Sequence, residues 1–353
     1  MIRSAASSIY GAVARQRRQW YARHPSRQRR LAHPVISVGN LSLGGSGKTP
    51  VVERVARMLL DAGERPAVLS RGYARRVQTD GVTIVSDGRE VLADLDHAGD
   101  EPLMLARALS GVAVLVAADR YLAGRHAEQQ LGSTVHILDD GFQHMALWRD
   151  INLLLVDQVD LADDVLPAGR LREPLSAARA ADAVLTTGAD ESAQAYVRDR
   201  LGVPTVFRVV RRLQSVRMVS SGKAIEPGMV GPVFAVAGIA RPQRLFEDLS
   251  AAGWRLGGTM TFRDHYRFTQ GDVTRIARAT RDAQTHIVVT TAKDAVRLEP
   301  LDCTPIALAV VHSTSTVEPV AAFENWLRER LSQARAQSRT EGPPAVRAGS
   351  PAP

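Results

Sequence analysis

The stretch "VISVGNLSLGGSGKTP" at residues 35–50 decides the fold class. A short apolar run leads into glycines and then into Gly47, Lys48 and Thr49, after which apolar residues recur at helical spacing. A strand, a glycine-rich turn and a helix in this order are typical of a phosphate-binding loop, because small residues let backbone N–H groups point at phosphate oxygens. We therefore predict a nucleotide-binding α/β domain built around this loop.

Each part of the loop has a predicted role. Its backbone would surround the phosphates, Lys48 would supply positive charge, and the Thr49 hydroxyl would hold Mg²⁺. The residues assigned to nucleotide binding are Ser42, Leu43, Gly44, Gly45, Ser46, Gly47, Lys48 and Thr49. Ser42 stands where the usual motif has its first glycine. Such a loop alone does not separate a kinase from a nucleotide-hydrolysing switch.

Strand-like and helix-like patterns alternate from residue 35 onward. Candidate strands lie at 35–39, 67–70, 82–85, 112–117, 136–140 and 151–156, with a helix at 51–62. A second block adds a strand near 231–240, a helix from Pro242 to about Ala252, strands at 286–294 and 305–311, and a last helix at 317–333. This alternation predicts a largely parallel sheet with helices on both faces.

We divide the chain into five parts. Residues 1–31 form a basic amphipathic segment, 32–204 the phosphate-loop domain and 205–229 a β connection. Residues 230–333 form a smaller α/β domain, and 334–353, rich in Pro, Ala and Gly, a disordered tail.

Composition limits the class of protein. Apolar residues make up 45% of the chain, which is enough for a sizeable core. Cys303 is the single cysteine, so no disulfide forms within the chain, in keeping with a reducing compartment. The longest apolar run, near 108–118, is too short to span a bilayer, and we identify no signal peptide.

The net charge of +8 is concentrated at the N-terminus. Residues 1–31 contain eight arginines and no acidic residue, so the rest of the chain is neutral overall. Apolar and aromatic residues recur among these arginines at near-helical spacing. The pattern favours a helix at an anionic membrane surface over a helix packed on its own domain or an arm that binds nucleic acid. No nucleic-acid recognition motif accompanies it.

Acidic residues mark two places in the phosphate-loop domain. Asp139 and Asp140 end the strand in "HILDDGFQH", where a phosphate-loop protein holds its Mg²⁺. Asp100 and Glu101 begin a helical run in "HAGDEPLMLAR", which suits either catalysis or ordinary helix-start chemistry. "GRLREP" adds Arg172 and Glu173 before a proline, a pair suited to phosphate and metal.

Basic and aromatic residues suggest an anionic substrate. Arg71 and Tyr73 follow the second strand, at the carboxyl edge of the sheet where ligands bind in open α/β folds. A solvated loop is the alternative. In "FRDHYRFT", His265 stands next to an acid and a tyrosine, which suits either a tuned base or an ordinary surface histidine.

Taken together, these motifs resemble one family, the tetraacyldisaccharide 4′-kinases. The matching pieces occur in the family's order, and they are "SVGNLSLGGSGKTPVV", "LSRGY", "GDEPLMLA", "ILDDGFQH", "VLPAGRLREP", "GIARPQRLF", "FRDHYRFT" and "TTAKDAVRL". The family's loop also commonly lacks the first glycine, as here at Ser42. Ala292 departs from the family, which usually has an acid before the lysine.

The resemblance implies ATP-dependent phosphorylation of the 4′-hydroxyl of a tetraacylated glucosamine disaccharide 1-phosphate in lipid A synthesis. It implies two α/β/α domains with the active site in the cleft between them, and a peripheral position on the cytoplasmic face of a bacterial inner membrane. We expect a monomer that reaches the anionic membrane through residues 1–31 and does not bind nucleic acid.

The resemblance also implies residue roles. Asp100 would take the hydroxyl proton and His265 would pair with it across the cleft. Thr49, Asp139, Asp140 and Glu173 would serve Mg²⁺, while Arg71 and Tyr73 would face the disaccharide. Lys48 and Arg172 would neutralise charge on the transferred phosphoryl group.

The main rival function is a nucleotide-hydrolysing switch that acts on a partner protein. A GTPase has a guanine-recognition motif N-K-x-D after a strand. "TAKD" at 291–294 places Ala292 where the lysine would fall, so we interpret it as not specific for guanine. ATP and Mg²⁺ are therefore the expected cofactors.

Overall fold

The structure, a computed structural model, describes residues 2–45, 47–187 and 191–341. Ser46 of the phosphate loop and residues 342–353 of the expected tail lie outside the described residues.

Helices and strands alternate along most of the described chain. The helices are α1 (Ile2–Arg23), α2 (Lys48–Asp61), α3 (Leu95–Ala98), α4 (Asp100–Ala108), α5 (Arg120–Leu131), α6 (Glu191–Leu201), α7 (Pro242–Ala251), α8 (Gln270–Asp282), α9 (Ala292–Leu298) and α10 (Val320–Glu341). The strands are β1 (Val35–Asn40), β2 (Pro66–Ser70), β3 (Thr83–Asp87), β4 (Ala113–Val116), β5 (Val135–Asp139), β6 (Ile151–Asp157), β7 (Ala183–Thr187), β8 (Val206–Met218), β9 (Ala224–Ile225), β10 (Val233–Ala237), β11 (Leu256–Thr261), β12 (Ile287–Thr291) and β13 (Ala307–Glu318).

The strands of the described residues join in one sheet of 13 strands. Its order is β11-β10-β12-β13-β8-β7-β6-β1-β5-β2-β4-β3, with β9 paired to β8. Pairing is parallel except at β3 with β4, at β8 with β13 and at β8 with β9. The predicted α/β class with a mostly parallel sheet is confirmed.

The first half of the sheet is buried on both faces. All six residues of β1 are buried, as expected for a strand between two parallel neighbours. On one face Val51, Val55 and Leu59 of α2 pack at helical spacing against the strands, together with α4 and α10. Burying each of these side chains contributes about 1.5 to 3 kcal/mol. Helix α5 covers the other face.

Two long strands connect this half of the sheet to the second. β8 begins as a parallel neighbour of β7 and then pairs antiparallel with β13 from Arg208 to Met218. β13 in turn pairs with β12, so the sheet continues into the half made of β10, β11 and β12. Helix α7 covers one face of that half, and α8 and α9 cover the other.

Two strands of the second half end at residues other than those we predicted. The strand expected at 286–294 stops at Thr291, because its side chain accepts a hydrogen bond from the backbone N–H of Asp294 and caps α9. The strand expected at 305–311 runs on to Glu318, since pairing with β8 satisfies its backbone. The pairing partner lies about one hundred residues away, beyond the range of local pattern.

The expected disordered tail is also partly wrong. Helix α10 continues to Glu341 and so takes in residues 334–341. Ala334 is buried, and Arg335 donates to Oε2 of Glu64 at 2.7 Å. These tertiary contacts stabilise turns that lack a clear apolar period in the sequence.

Candidate active site

The phosphate loop follows β1 at the centre of the sheet's carboxyl edge. β5 lies on one side of β1 and β6 on the other, so the chain order changes direction here, which is where open α/β sheets bind ligands. Gly44 and Gly47 have φ angles of 100° and 82°, a left-handed region that favours glycine. Helix α2 begins at Lys48, three residues before the expected start, and Pro50 lies in its first turn.

Lys48 and Arg172 converge on the same two groups. Nζ of Lys48 donates to Oδ1 of Asn40 at 2.9 Å and lies 3.5 Å from Oδ1 of Asp140. Arg172 donates to both carboxylate oxygens of Asp140 at 2.9 Å and to Oδ1 of Asn40 at 2.6 Å. Asn40 also donates to the carbonyl of Ser42 at 2.7 Å, and Ser42 is buried. Sequence reasoning did not single out Asn40, since a buried asparagine at a strand end has no motif of its own.

The adjacent aspartates have different environments. Asp140 has a φ of 55°, so the chain turns sharply after β5 and separates the two side chains. Burial, with the charges of Glu101 and Asp140, raises the pKa of Asp139 to about 7. Burial also acts to raise the pKa of Asp140, but Lys48 and Arg172 outweigh it and lower that pKa to about 2.

These residues fit a divalent cation. Oδ1 of Asp139 is buried, and no hydrogen-bond donor within the described parts of the chain reaches it. A carboxylate oxygen without a donor is a ligand that Mg²⁺ prefers, and Thr49 adds a hydroxyl in the first turn of α2. The second oxygen of Asp139 accepts from Ser70 at 3.5 Å.

Asp100 and His265 meet across the cleft. Asp100 is the first residue of α4 and is 4% exposed, and its Oδ2 lies 2.9 Å from Nδ1 of His265. Lys293 lies 3.3 Å from Nε2 of His265 and 3.9 Å from Oδ2 of Asp100. An ammonium group only donates, so Nε2 accepts and the ring proton lies on Nδ1, which donates to Asp100. Burial opposes ionisation of Asp100, but His265 and then Lys293 outweigh it and lower its pKa.

One large cavity is lined by most of these groups, whereas the buried Asp100 and Ser42 are not among its lining residues. It has a volume of about 1750 Å³ and is lined by residues from both halves of the sheet. The predicted site residues that line it are Leu43, Gly44, Gly45, Gly47, Lys48, Thr49, Arg71, Tyr73, Asp139, Asp140, Arg172 and His265. Tyr73 is 68% exposed, and its ring lies edge-on to that of His265 at 5.0 Å.

Comparison with known proteins agrees with this geometry. A family model described as tetraacyldisaccharide-1-P 4′-kinase matches residues 2–332. The chain belongs to this family. The tetraacyldisaccharide 4′-kinase of Geobacter metallireducens is 41% identical, covering 88% of this chain and 92% of the relative. The enzyme of the same name from Syntrophus aciditrophicus is 36% identical, covering 89% and 88%.

A solved structure of the kinase family shares the fold. A crystal structure of LpxK from Aquifex aeolicus in complex with ATP matches with a TM-score of 0.74 and 31% identity, covering 94% of this chain and all of that one. The resemblance inferred from the ordered motifs is therefore confirmed. The division of this chain into two α/β halves is consistent with that structure.

Two basic residues of this kinase-family site were missed from the sequence. Arg120 begins α5, is buried, and donates to the carbonyl of Ala118 at 2.9 Å in the cavity wall. Burial, and then the nearby Arg71, lowers its pKa to about 10. Inspecting the loop between each strand and the next helix at the carboxyl edge would have found it, because Arg120 stands four residues after the end of β4. Lys293 was noted in "TAKD", but only as evidence about guanine recognition.

Glu173 is not brought together with the other expected metal ligands. It is 3% exposed and does not line the cavity, and both of its carboxylate oxygens accept from Arg18, at 2.6 and 2.8 Å. To bind a metal, Glu173 would have to exchange this partner. The sequence could not reveal the pair because 155 residues separate its members.

The first helix packs on its own domain, which is one of the alternatives considered for residues 1–31. It packs on its own domain through Gly11 and Arg18, and Oγ of Ser7 accepts from the backbone N–H of Ala168 at 2.9 Å. Yet the apolar side chains Ile9 and Val13 remain 67% and 59% exposed. Across the described residues, no helix is both long and apolar enough to traverse a bilayer.

Proposed function

We propose that this protein transfers the γ-phosphate of ATP to the 4′-hydroxyl of a tetraacylated disaccharide 1-phosphate, a step of lipid A synthesis. The observation that carries the proposal is the buried Asp100–His265 pair, whose histidine faces the phosphate loop across one cavity in a member of the tetraacyldisaccharide 4′-kinase family. A hydrolysing switch needs no base held opposite its phosphate loop for an acceptor alcohol.

Asp100 acts as the general base. Its lowered pKa keeps it ionised near neutral pH, so that it accepts the proton of the attacking hydroxyl as the new P–O bond forms. His265 orients this carboxylate through the Nδ1 hydrogen bond, and Lys293 holds the ring in the matching tautomer. Arg71 and Tyr73 face the disaccharide from the same cavity wall.

Positive charge stabilises the transferred phosphoryl group. Lys48 and Arg172 lie at the base of the loop, already held in place by Asn40 and Asp140, so little reorganisation accompanies the reaction. Thr49 and Asp139 are the residues that would hold Mg²⁺, and Asp140 would join them by exchanging one of its contacts with Arg172. When bound, the ion neutralises charge on the phosphate oxygens.

The protein acts at the cytoplasmic face of the inner membrane as a peripheral, monomeric enzyme. Four acyl chains keep the substrate in a lipid phase, so the enzyme must reach that surface. The apolar side of α1, with Ile9, Val13 and Trp20 exposed among arginines, suits docking on anionic lipid.

The deciding experiment measures transfer of radiolabelled γ-phosphate from MgATP to tetraacyldisaccharide 1-phosphate in detergent micelles. We expect labelled lipid with the wild type and a loss of about 10²-fold or more with Asp100→Asn, which keeps the shape of the side chain but not its basicity. Labelled lipid at equal rates from both proteins would reject Asp100 as the base. Phosphate released to water without labelled lipid would favour the switch function instead.

A further inference from the structure

Arg18 is an arginine of α1 that the fold partly buries. Its side chain is 16% exposed, whereas Arg15, Arg17 and Arg23 are exposed. Nε and Nη2 donate to the two carboxylate oxygens of Glu173, which is 3% exposed. A bidentate, charge-assisted pair shielded in this way is about twice as strong as a neutral hydrogen bond and fixes orientation as well as distance.

The same guanidinium contacts the loop after β5. Nη2 of Arg18 donates to the carbonyl of Phe142 at 3.3 Å, and the guanidinium carbon lies 4.5 Å from the centre of the Phe142 ring. Arg149 donates to that carbonyl at 2.7 Å. Phe142 is fully buried and stands two residues after Asp140.

Arg18 therefore contacts both segments that meet in the Arg172–Asp140 pair. Glu173 is the residue next to Arg172, and Phe142 belongs to the same turn as Asp140. A movement of α1 relative to the sheet would be transmitted to both members of the pair, whose guanidinium also holds Asn40 beneath Lys48.

The apolar side of α1 lies opposite this contact. At 100° per residue, Ile9, Val13 and Trp20 are about 140 to 180° around the helix from Arg18. All three are exposed. One side of α1 thus faces solvent with apolar groups, while the other holds the loops of the phosphate site.

We propose that Arg18 is a positioning residue that couples docking of α1 on an anionic lipid surface to the geometry of the Arg172–Asp140 pair. The proposal rests on the proposed function. Arg18 itself touches no reacting atom and acts through Glu173 and Phe142.

The first test is kinetic and uses neutral detergent micelles, in which headgroup attraction is absent. Arg18→Ala is expected to lower kcat about tenfold, because a small displacement of a positioned group is costly, and to change KM for the lipid less than twofold. Arg18→Lys restores the charge but not the planar fork and should recover only part of kcat. Arg198→Ala, at an exposed arginine of α6, is the control and keeps the wild-type rate.

The second test needs no substrate and follows backbone hydrogen exchange with and without phosphatidylglycerol vesicles. In the wild type, vesicles should slow exchange in α1 and also in residues 140–144 and 172–173. In Arg18→Ala, protection of α1 should remain while protection of the two loops is lost. Arg23→Ala, which removes the same charge from an exposed arginine about 140° around α1 from Arg18, should weaken vesicle binding as much as Arg18→Ala does.

Several outcomes would overturn the coupling. These are a kcat within twofold of wild type for Arg18→Ala, equal loop protection by vesicles in both proteins, or protection confined to α1 in the wild type. A general rise in exchange across the sheet of Arg18→Ala would show a merely structural role and would also reject it. Failure of the proposed function would appear separately, as absence of lipid phosphorylation by the wild type.

Discussion

The two sides of the cavity are built in opposite ways. The phosphate loop places Lys48 and Thr49 through one strand, one turn and one helix that are continuous in the chain. On the other side, 165 residues separate His265 from Asp100, and Lys293 comes from a third segment. A nucleotide can be held by the backbone of one segment, whereas an oriented base needs side chains from several directions. The second side therefore depends on how the two halves of the sheet are held together.

The largest expected loss of activity comes from changing the phosphate-loop side of the cavity, which one continuous segment builds. The chain has only three lysines, Lys48, Lys293 and Lys223, and the last is exposed. Lys48→Ala removes the charge that faces the phosphates and leaves Asp140 with one cation fewer, so kcat/KM should fall about 10³-fold. Lys223→Ala serves as the matched control and should retain wild-type phosphoryl transfer. A tenfold loss or less in Lys48→Ala would mean that the loop backbone alone supports transfer.

A smaller loss of activity should follow from changing the Asp100–His265 side of the cavity, whose residues come from several segments. Lys293→Met removes a positive charge that lowers the pKa of Asp100, so that pKa rises and the base is protonated at higher pH. The acid limb of the kcat/KM profile should shift to higher pH. Activity at neutral pH, where Asp100 stays ionised, should fall about tenfold because the His265 ring loses the donor at its Nε2. The measurement is a pH–rate profile of both proteins. An unshifted acid limb would show that Lys293 does not influence the pKa of Asp100.

The smallest effect concerns the contact between the two halves. Oδ2 of Asp157, at the end of β6, accepts from Arg241 and Arg244 of the second half at 2.5 Å each. Burial opposes ionisation of Asp157, but the two arginines outweigh it and lower its pKa. Its stabilising contribution is therefore present above the unfolded pKa of about 3.9 and is lost as pH falls through the folded value.

Asp157→Asn should lower the free energy of unfolding by about 1 kcal/mol at pH 7, because the exposed parts of the arginines are screened by solvent. Thermal unfolding at several pH values provides the measurement, and the difference from wild type should disappear in strong acid. Asp282→Asn, whose ion pair in α8 is largely exposed, should change stability hardly at all. A difference for Asp157→Asn that persists in acid would exclude the ion pair as its cause.

Ion pairs across the cleft recur beyond these residues. Lys293 donates to Oε1 of Glu101 at 2.9 Å, and Arg267 donates to Oδ1 of Asp96 at 2.5 Å. Arg107 pairs with Glu299 in the same way. Each pair joins α3 or α4 to the second half. The Arg267–Asp96 and Arg107–Glu299 pairs are largely exposed and contribute little individually, whereas the Lys293–Glu101 pair is more buried. The long β8–β13 pairing is the main physical connection between the halves.

Sequence patterns were most reliable where the structure is local. The apolar run before Gly44 predicted β1, and Asp139 and Asp140 were expected at the end of a strand that ends at Asp139. Pattern reasoning was least reliable at Glu173, whose partner Arg18 is distant in the chain, and at the end of β13, whose length follows from pairing with β8.

The amino-acid sequence was sufficient to establish the kinase family from its ordered motifs. It was also sufficient for the mostly parallel sheet and the phosphate loop, because backbone conformation and periodic burial depend on near neighbours in the chain. The family resemblance led us to expect that His265 pairs with Asp100, but no local pattern placed the two side chains together. The tertiary structure alone decided that Asn40 joins Lys48 to Arg172 and that Arg18 pairs with Glu173. These contacts depend on side chains brought together over 100 residues or more, or on a turn whose direction no local motif specifies. Packing of the sheet and its helices, rather than local pattern, sets their geometry.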